Sequence, residues 1–294
     1  MTYRTFAIRY FLVVALSVML TVNYASAQEA ESSDEQPFED FDYENFDNPT
    51  VIDNEWFPLV PGMQYIFEGV TDEDGEAIPH RVITTVTDLT KVVDGIESVV
   101  IWDQDIADGE LVEAEIAFFA QDNDGNVWRM GEYPEEYEDG EMVLAPGWIA
   151  GQEEAKAGIY IRAVNEVGED SYSQGWAPAV DFTDRAQAYA VGEETCAASE
   201  CYTDVLVVDE FNPQEPNAFQ QKYYVSGIGV VRVGWRGEDA TQEYLELIEI
   251  NELDEDGLAE AREAALELEA SAYENIPDSY GETEPAQKSA MEDM

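Results

Sequence analysis

Asp-Gly pairs punctuate the first half of the chain and constrain its fold more than any other feature. They occur at 74–75, 94–95, 108–109 and 124–125, each near a run of β-branched or aromatic residues. Asp-Gly supplies the positive φ values that two-residue hairpin turns need. The segment 112–116 alternates apolar and acidic residues, as in a strand with one buried and one wet face. The pattern therefore predicts an antiparallel β meander.

The meander accounts for residues 48–251, a length that suits one β-rich domain. Beyond it the period changes, because Leu258, Ala261, Ala265, Leu268 and Ala272 recur at helical spacing. We therefore predict a mainly β fold, in which the meander forms a sandwich or a curved half-barrel, with a C-terminal helix.

The segments outside the β-rich domain are assigned from composition. A helical segment is predicted over 252–275, with its periodic part from about 256 to 274. Residues 28–47 are acid-rich with scattered aromatic side chains, which predicts a flexible leader whose aromatics dock near the domain. Residues 276–294 are predicted to form a disordered acidic tail.

The N-terminus has the three parts of a secretory signal. Arg4 and Arg9 precede an apolar run over 11–22, and Ala25-Ser26-Ala27 matches the pattern cut by signal peptidase. The sequence thus predicts a signal peptide over 1–27 and an exported protein, periplasmic or secreted. No cysteine directly follows the apolar run, so no lipid anchor is expected.

The charge balance excludes two classes of partner. Acidic residues outnumber basic ones by 66 to 13, which gives a net charge of −53. A field of this sign repels nucleic acid and anionic membrane surfaces. Two explanations of the charge remain: a halophilic-like surface adapted to salt, and collection of cations by the carboxylates. The spread of the acids along the sequence favours the first, because a dedicated cation site clusters oxygen ligands at fixed spacing.

Neither the cysteines nor the acidic turns predict a metal site. Cys196 and Cys201 are the only cysteines, and an even count in an exported chain predicts a disulfide. The segment that begins at Asp122 suggests a calcium loop, but Val127 and Tyr133 occupy the positions where an EF-hand needs glycine and glutamate. A hairpin turn capped by Asp and Asn side chains fits better. We predict no metal and no cofactor.

No catalytic motif stands out, and no catalytic residue is assigned. His80 is the only histidine, and no G-x-S-x-G motif accompanies it. Glu132 and Asp103 lie near tryptophans, where a glycosidase could shield an acid from water, but 66 acids make carboxylate pairs uninformative. A carboxylate-based extracytoplasmic hydrolase, such as a glycosidase, is the alternative function.

Aromatic residues occur throughout the β region, where they either fill the core or line a cleft. Trp102, Trp128, Trp148 and Tyr224 are the ligand-binding candidates for a cleft that holds an apolar molecule or a glycan. The predicted function is therefore an exported, non-enzymatic binding or envelope-associated module of unknown ligand, and its oligomeric state stays open.

A series of motifs spans residues 48–250. The series includes Asn54-Glu55-Trp56-Phe57-Pro58-Leu59-Val60-Pro61-Gly62, Gln121-Asp122-Asn123-Asp124-Gly125-Asn126-Val127-Trp128, Lys222-Tyr223-Tyr224 and Gly227-Ile228-Gly229-Val230-Val231. With its N-x-x-F-P-L-x-P-G and Q-D-x-D-G-N-V-W motifs, the chain resembles a family of exported bacterial β-rich proteins without an assigned function. The resemblance implies a shared fold and export, and it supplies no catalytic residues.

Overall fold

The computed structural model describes residues 38–73, 75–215 and 217–289. The predicted signal peptide and residues 28–37 lie outside these ranges. The described residues form sixteen strands and two α-helices. The strands are β1 Met63–Glu73, β2 Glu76–Val93, β3 Ile96–Ala107, β4 Glu110–Gln121, β5 Val127–Glu138, β6 Glu141–Leu144, β7 Trp148–Ile149, β8 Lys156–Ile161, β9 Tyr172–Ser173, β10 Gly175–Trp176, β11 Arg185–Ala197, β12 Glu200–Phe211, β13 Ala218–Val225, β14 Gly229–Gly237, β15 Tyr244–Glu252 and β16 Gln287–Lys288. The helices are α1 Glu255–Asn275 and α2 Pro277–Tyr280.

The strands build one antiparallel sheet, so the predicted fold class is confirmed. The strand order is β10-β8-β5-β4-β3-β2-β1-β15-β14-β13-β12-β11-β9, with β16 beside β2 and with β6 and β7 beside β5. Two meanders, β1–β5 and β11–β15, are joined where β1 pairs with β15. The sheet remains open, but it curves so strongly that strands from both meanders surround a common cavity.

A short segment spans the opening between the two ends of the sheet. β9 pairs with β11 and β10 pairs with β8, and only Gln174 separates β9 from β10 in the chain. The buried Gln174 amide donates to the Tyr160 carbonyl at 3.1 Å and to the Glu210 carboxylate at 2.9 Å. At Gly158 on β8 a Cβ atom would lie 2.2 Å from the Gly175 nitrogen, so only glycine permits this approach.

Two of the four Asp-Gly pairs form tight hairpin turns as predicted. Of the other two, Asp74 lies outside the described residues, and the pair at 124–125 lies in a longer turn between β4 and β5 in which Gly125, but not Asp124, has positive φ. Asp94 and Gly95 between β2 and β3 both have positive φ, as do Asp108 and Gly109 between β3 and β4. A further Asp-Gly pair at 139–140 makes a hairpin between β5 and β6 in the same way. Two residues with positive φ match the right-handed twist of the flanking strands, which explains why this dipeptide sets the topology.

The predicted disulfide joins Cys196 and Cys201, which lie directly opposite each other where β11 turns into β12. The bridge therefore pins the end of one hairpin. Among the described residues no cysteine is free.

Residues 38–47 of the predicted flexible leader lie against the domain. The ring centroids of Phe41 and Trp128 are 5.0 Å apart, and those of Phe38 and Trp176 are 5.4 Å apart. The Tyr43 hydroxyl also donates to Asp94 at 2.5 Å. The aromatic side chains of the leader thus dock as expected for this part of it.

Helix α1 packs across β2–β5 on the sheet face opposite the cavity. Its first turn is capped by the Asp254 carboxylate, which accepts from the Gly257 nitrogen at 2.9 Å. It buries four of the five residues of the predicted apolar stripe, namely Ala261, Ala265, Leu268 and Ala272, together with Glu269, while Leu258 is half-buried.

The predicted disorder after residue 275 is wrong for residues 277–289. The Tyr280 ring in α2 is fully buried, and β16 pairs with β2. This segment returns over α1 and contributes contacts to one buried cation. Lys91 of β2 is 0 % exposed and donates to the Glu269 carboxylate and the Glu284 carbonyl, both at 2.8 Å. Its ammonium group lies 4.6 Å from the Tyr280 ring centroid.

We expect Lys91→Met to lower the free energy of unfolding by about 3–5 kcal/mol, because it leaves the Glu269 carboxylate buried without its cation. Urea denaturation at pH 7 measures the change. Lys91→Met combined with Glu269→Gln removes both charges, keeps an acceptor for the Ala286 nitrogen, and should recover part of the loss. A single variant as stable as the wild type would contradict the role of this ion pair.

Candidate ligand-binding cavity

The concave side of the sheet encloses a cavity of about 410 Å³. Its wall comes from β1–β5, β8 and β13–β15, with a cover made by residues 57–59 and the turn between β13 and β14. All residues of the wall are buried or half-buried. The volume falls within the range of sites that hold small organic molecules.

One part of the wall is apolar and rich in aromatic rings. It comprises Phe57, Tyr65, Phe67, Phe119, Tyr160, Val82, Ile228, Val230, Val233 and Leu245. The ring centroid of Phe57 lies 4.6 Å from that of Tyr160 and 5.5 Å from that of Phe119, so these three rings form a continuous surface. This surface can receive an apolar group without leaving polar atoms unpaired.

The loop that carries Phe57 is held by Asn54, which is 4 % exposed. The Asn54 carboxamide accepts from the nitrogens of Trp56 and Phe57, and it donates to the Gly125 carbonyl at 2.7 Å. The Gly227 nitrogen donates to the Glu55 carbonyl at 2.8 Å, which ties this loop to the turn between β13 and β14. Two segments that carry the sequence resemblance therefore meet over the cavity.

The other part of the wall is acidic. Asp103 and Asp105 of β3 lie directly opposite Glu115 and Glu113 of β4. Side chains alternate between the two faces of a strand, so Ala114 and its apolar neighbours on β4 point to the face that α1 covers. The alternation over 112–116 is as predicted, but the acidic face lines an internal cavity instead of facing bulk water. Like charges at directly opposite positions destabilise a sheet.

His80 supplies a positive charge at one end of the acidic wall. Its imidazole forms ion pairs with Asp105 through Nε2 and with Glu243 through Nδ1, the latter at 3.0 Å. Burial by itself would lower the pKa of His80, but the hydrogen bonds and charges of the two carboxylates outweigh it and raise this pKa to about 10. His80 therefore links β2 to β3 through Asp105, and to the residue that precedes β15 through Glu243.

Two cations stand beside the acidic wall, and each has a partner of its own. Arg129 pairs with Glu132 at 2.9 Å, and Lys222 pairs with Glu210 at 2.7 Å. Burial opposes the charge on each cation, yet the nearby carboxylate keeps the pKa of Arg129 and of Lys222 above its ordinary value. The Arg129 guanidinium also lies 5.1 Å from the centroid of the Tyr160 ring.

Asp103, Glu113 and Glu115 remain, and we call these three the carboxyl cluster. Among the described residues none of the three forms an ion pair. Burial is the main cause that raises the pKa of Asp103 to about 6 and that of Glu113 to about 8, and it raises the pKa of Glu115 well above its ordinary value. Negative charge on neighbouring carboxylates adds to the effect at Glu113 and Glu115.

The structure places the four aromatic candidates outside the cavity wall. Trp102 lies on the other face of β3 and packs against the core, and Tyr224 is fully buried. The Trp128 indole donates to Asp122 at 2.8 Å, and the Trp148 indole donates to Glu132 at 3.0 Å. Packing explains these four side chains. The sequence feature that marks the cavity wall is instead the set of acidic residues at alternate positions of β3 and β4, two strands joined by one Asp-Gly turn.

The two acids singled out from the sequence have different surroundings. Asp103 belongs to the carboxyl cluster, whereas Glu132 is buried between Arg129 and Trp148. The turn at Asp122 also differs from a metal loop. The Asp122 carboxylate accepts from the nitrogens of Asp124 and Asn126, so it caps the turn as predicted. Within the described ranges, no group of three or more His, Cys, Asp or Glu side chains is placed to hold a metal ion.

Comparisons with known proteins find structural likeness only. No family model matches the chain, and no curated protein does. A Bacteroides fragilis protein assigned as exported, with a YMCC-like fold, is 13 % identical with a TM-score of 0.40 over 67 % of this chain and 99 % of that one. A Parabacteroides distasonis protein assigned as a lipoprotein is 11 % identical with a TM-score of 0.34 over 66 % of this chain and 97 % of that one. Neither likeness assigns a function to this chain.

No helix in the described residues is both long enough and apolar enough to cross a membrane.

We expect the carboxyl cluster to make the protein less stable as pH rises from about 4.5 to about 8. In this window the unfolded chain releases protons that the folded state retains on Glu113 and Glu115, so rising pH favours unfolding. Thermal denaturation at pH 5 and pH 8, at constant ionic strength, measures the change in Tm. The double variant Glu113→Gln, Glu115→Gln should show a smaller fall in Tm than the wild type.

The matched control is Glu110→Gln with Glu141→Gln, because both side chains are exposed and the net charge changes equally. The control should follow the wild type. An equal dependence on pH in all three proteins would show that the carboxyl cluster titrates alike in the folded and unfolded states.

Proposed function

We propose that this protein is a non-enzymatic binding module that holds a small molecule with an apolar body in the concave cavity. The observation that carries the proposal is the cavity itself, about 410 Å³ in volume and walled on one side by the rings of Phe57, Phe119 and Tyr160. A binding site of this kind combines an apolar surface with a few convergent polar groups.

The proposed place of action is outside the cytosol, in the periplasm or the medium. The secretory signal over 1–27 supports this, as does the disulfide, since such bonds persist in oxidising compartments. Membership of the exported β-rich family remains part of the proposal. Several of the residues that carry that resemblance, among them Phe57, Leu59, Lys222 and Val230, contribute to the cavity wall.

The alternative, a carboxylate-based hydrolase, has one observation in its favour. Asp103 and Glu115 are opposed and desolvated, and their Cβ atoms are expected to lie about 4.5–5.5 Å apart as a cross-strand pair. A glycosidase, however, needs two carboxyl groups that flank the bond to be cleaved. Neighbouring strands of one sheet place both groups on the same side of any ligand. The geometry therefore favours binding over hydrolysis.

The proposal predicts that the neutral apolar dye N-phenyl-1-naphthylamine gains fluorescence when it binds the wild-type protein. Val82 lines the cavity from β2, and Val82→Phe fills part of it. We expect this variant to bind the dye at least about tenfold more weakly, equivalent to about 1.4 kcal/mol.

Val92→Phe is the matched control, because Val92 lies on the same strand but is 48 % exposed. It should bind the dye like the wild type. Circular dichroism and Tm establish that both variants fold. If the wild type leaves the dye in water, or if both variants bind it equally well, the cavity is not the binding site.

A further inference from the structure

The acidic wall has more carboxyl groups than cations, and three of these carboxyl groups lie together. At one end of the cavity His80 forms ion pairs with both Asp105 and Glu243. Arg129 and Lys222 are engaged by Glu132 and Glu210, which do not belong to the cavity wall. The carboxyl cluster is thus left as three acidic groups without a cation of their own in the described part of the chain.

One atom of the cluster shows the same deficit directly. Asp103 Oδ1 is buried, and no donor among the described residues reaches it. Asp103 lines the cavity, and Thr84 forms a hydrogen bond with its carboxyl group. A buried acceptor without a donor costs free energy unless a ligand supplies one.

We infer that the occupant of the cavity is an amphipathic cation, whose ammonium group lies against Asp103, Glu113 and Glu115 while its apolar body lies on the aromatic wall. This inference rests on the proposed binding function. An ammonium group supplies the positive charge that the cluster lacks and hydrogen-bond donors for carboxyl groups that line the cavity. It also favours the ionised carboxylates that burial alone disfavours.

The net charge of the whole protein also favours a cationic ligand over an anionic one. With a net charge of −53, the protein attracts cations and repels anions as they approach the cavity. An anionic amphiphile would be repelled by the net charge as it approaches and by the carboxyl cluster inside the cavity. A neutral alcohol or glycoside would not be repelled, but it would leave the three acidic groups without a positive partner.

The experiment compares three ligands with the same chain and different head groups. Octylammonium, octanol and octanoate compete with N-phenyl-1-naphthylamine for the wild-type protein at pH 8. We expect octylammonium to bind at least about tenfold more tightly than octanol, and octanoate to bind most weakly. The preference should persist in 0.5 M NaCl, because salt screens an enclosed pair less than it screens surface charge.

The triple variant Asp103→Asn, Glu113→Gln, Glu115→Gln tests the cluster itself. It should lose the preference for octylammonium over octanol, and competition with the dye measures the affinity for both ligands. The exposed pair Glu110→Gln, Glu141→Gln is the control, since it lowers the surface charge without touching the cavity. Circular dichroism and Tm show that each variant is folded.

The outcomes separate this inference from the function on which it rests. If the dye enters the cavity but octanol or octanoate binds as tightly as octylammonium, the cationic ligand is excluded and the binding function stands. If the exposed pair abolishes the preference and the triple variant keeps it, general attraction by the surface explains it and the inference fails. If the dye does not bind the wild type at all, the proposed function fails, and the inference fails with it.

Discussion

A β-strand turns successive side chains to opposite faces of its sheet, and the rest of this structure depends on that alternation in β3 and β4. On β4, Ala114 and Ile116 face α1, whereas Glu113 and Glu115 face the concave cavity. A shift of one residue in register would place carboxylates under the helix and apolar groups in the cavity. The Asp-Gly turn at 108–109 starts the pairing of β3 with β4, and a one-residue shift in register between Asp105 and Ile106 then brings Asp103 opposite Glu115.

The two faces of the sheet treat buried charge in opposite ways. On the helix side, Lys91 and Glu269 form a complete ion pair, and carbonyl, amide and aromatic groups fill the remaining contacts. On the concave side, Asp103, Glu113 and Glu115 share no cation in the described structure. The first arrangement stabilises the fold, because neither charge is left alone. The second costs stability and is the kind of strain that proteins keep where they bind other molecules.

Much of the fold could be predicted from local sequence. Asp-Gly pairs gave the hairpins, because few other dipeptides accept positive φ at both turn residues. The alanine-rich spacing gave α1, and the pair of cysteines gave the disulfide. The segment over 277–289 could not be predicted in this way. This segment is ordered by contacts with residues distant in sequence, such as the contact between Lys91 and Tyr280. Its acidic composition gives no sign of these contacts.

The candidate site, like the fold, has some features that local sequence determines and others that depend on contacts between distant residues. The sequence by itself determined the strands, the turns, the overall charge and the alternate acids of β3 and β4. Only the tertiary structure decided that these acids enclose a cavity, that Trp102 and Tyr224 pack elsewhere, and that His80 pairs with Asp105 and Glu243. The physical reason is that turns and periodicity act over a few residues. Sheet curvature and pairing between distant strands bring β4 and β13 to one cavity, and no local pattern records that approach.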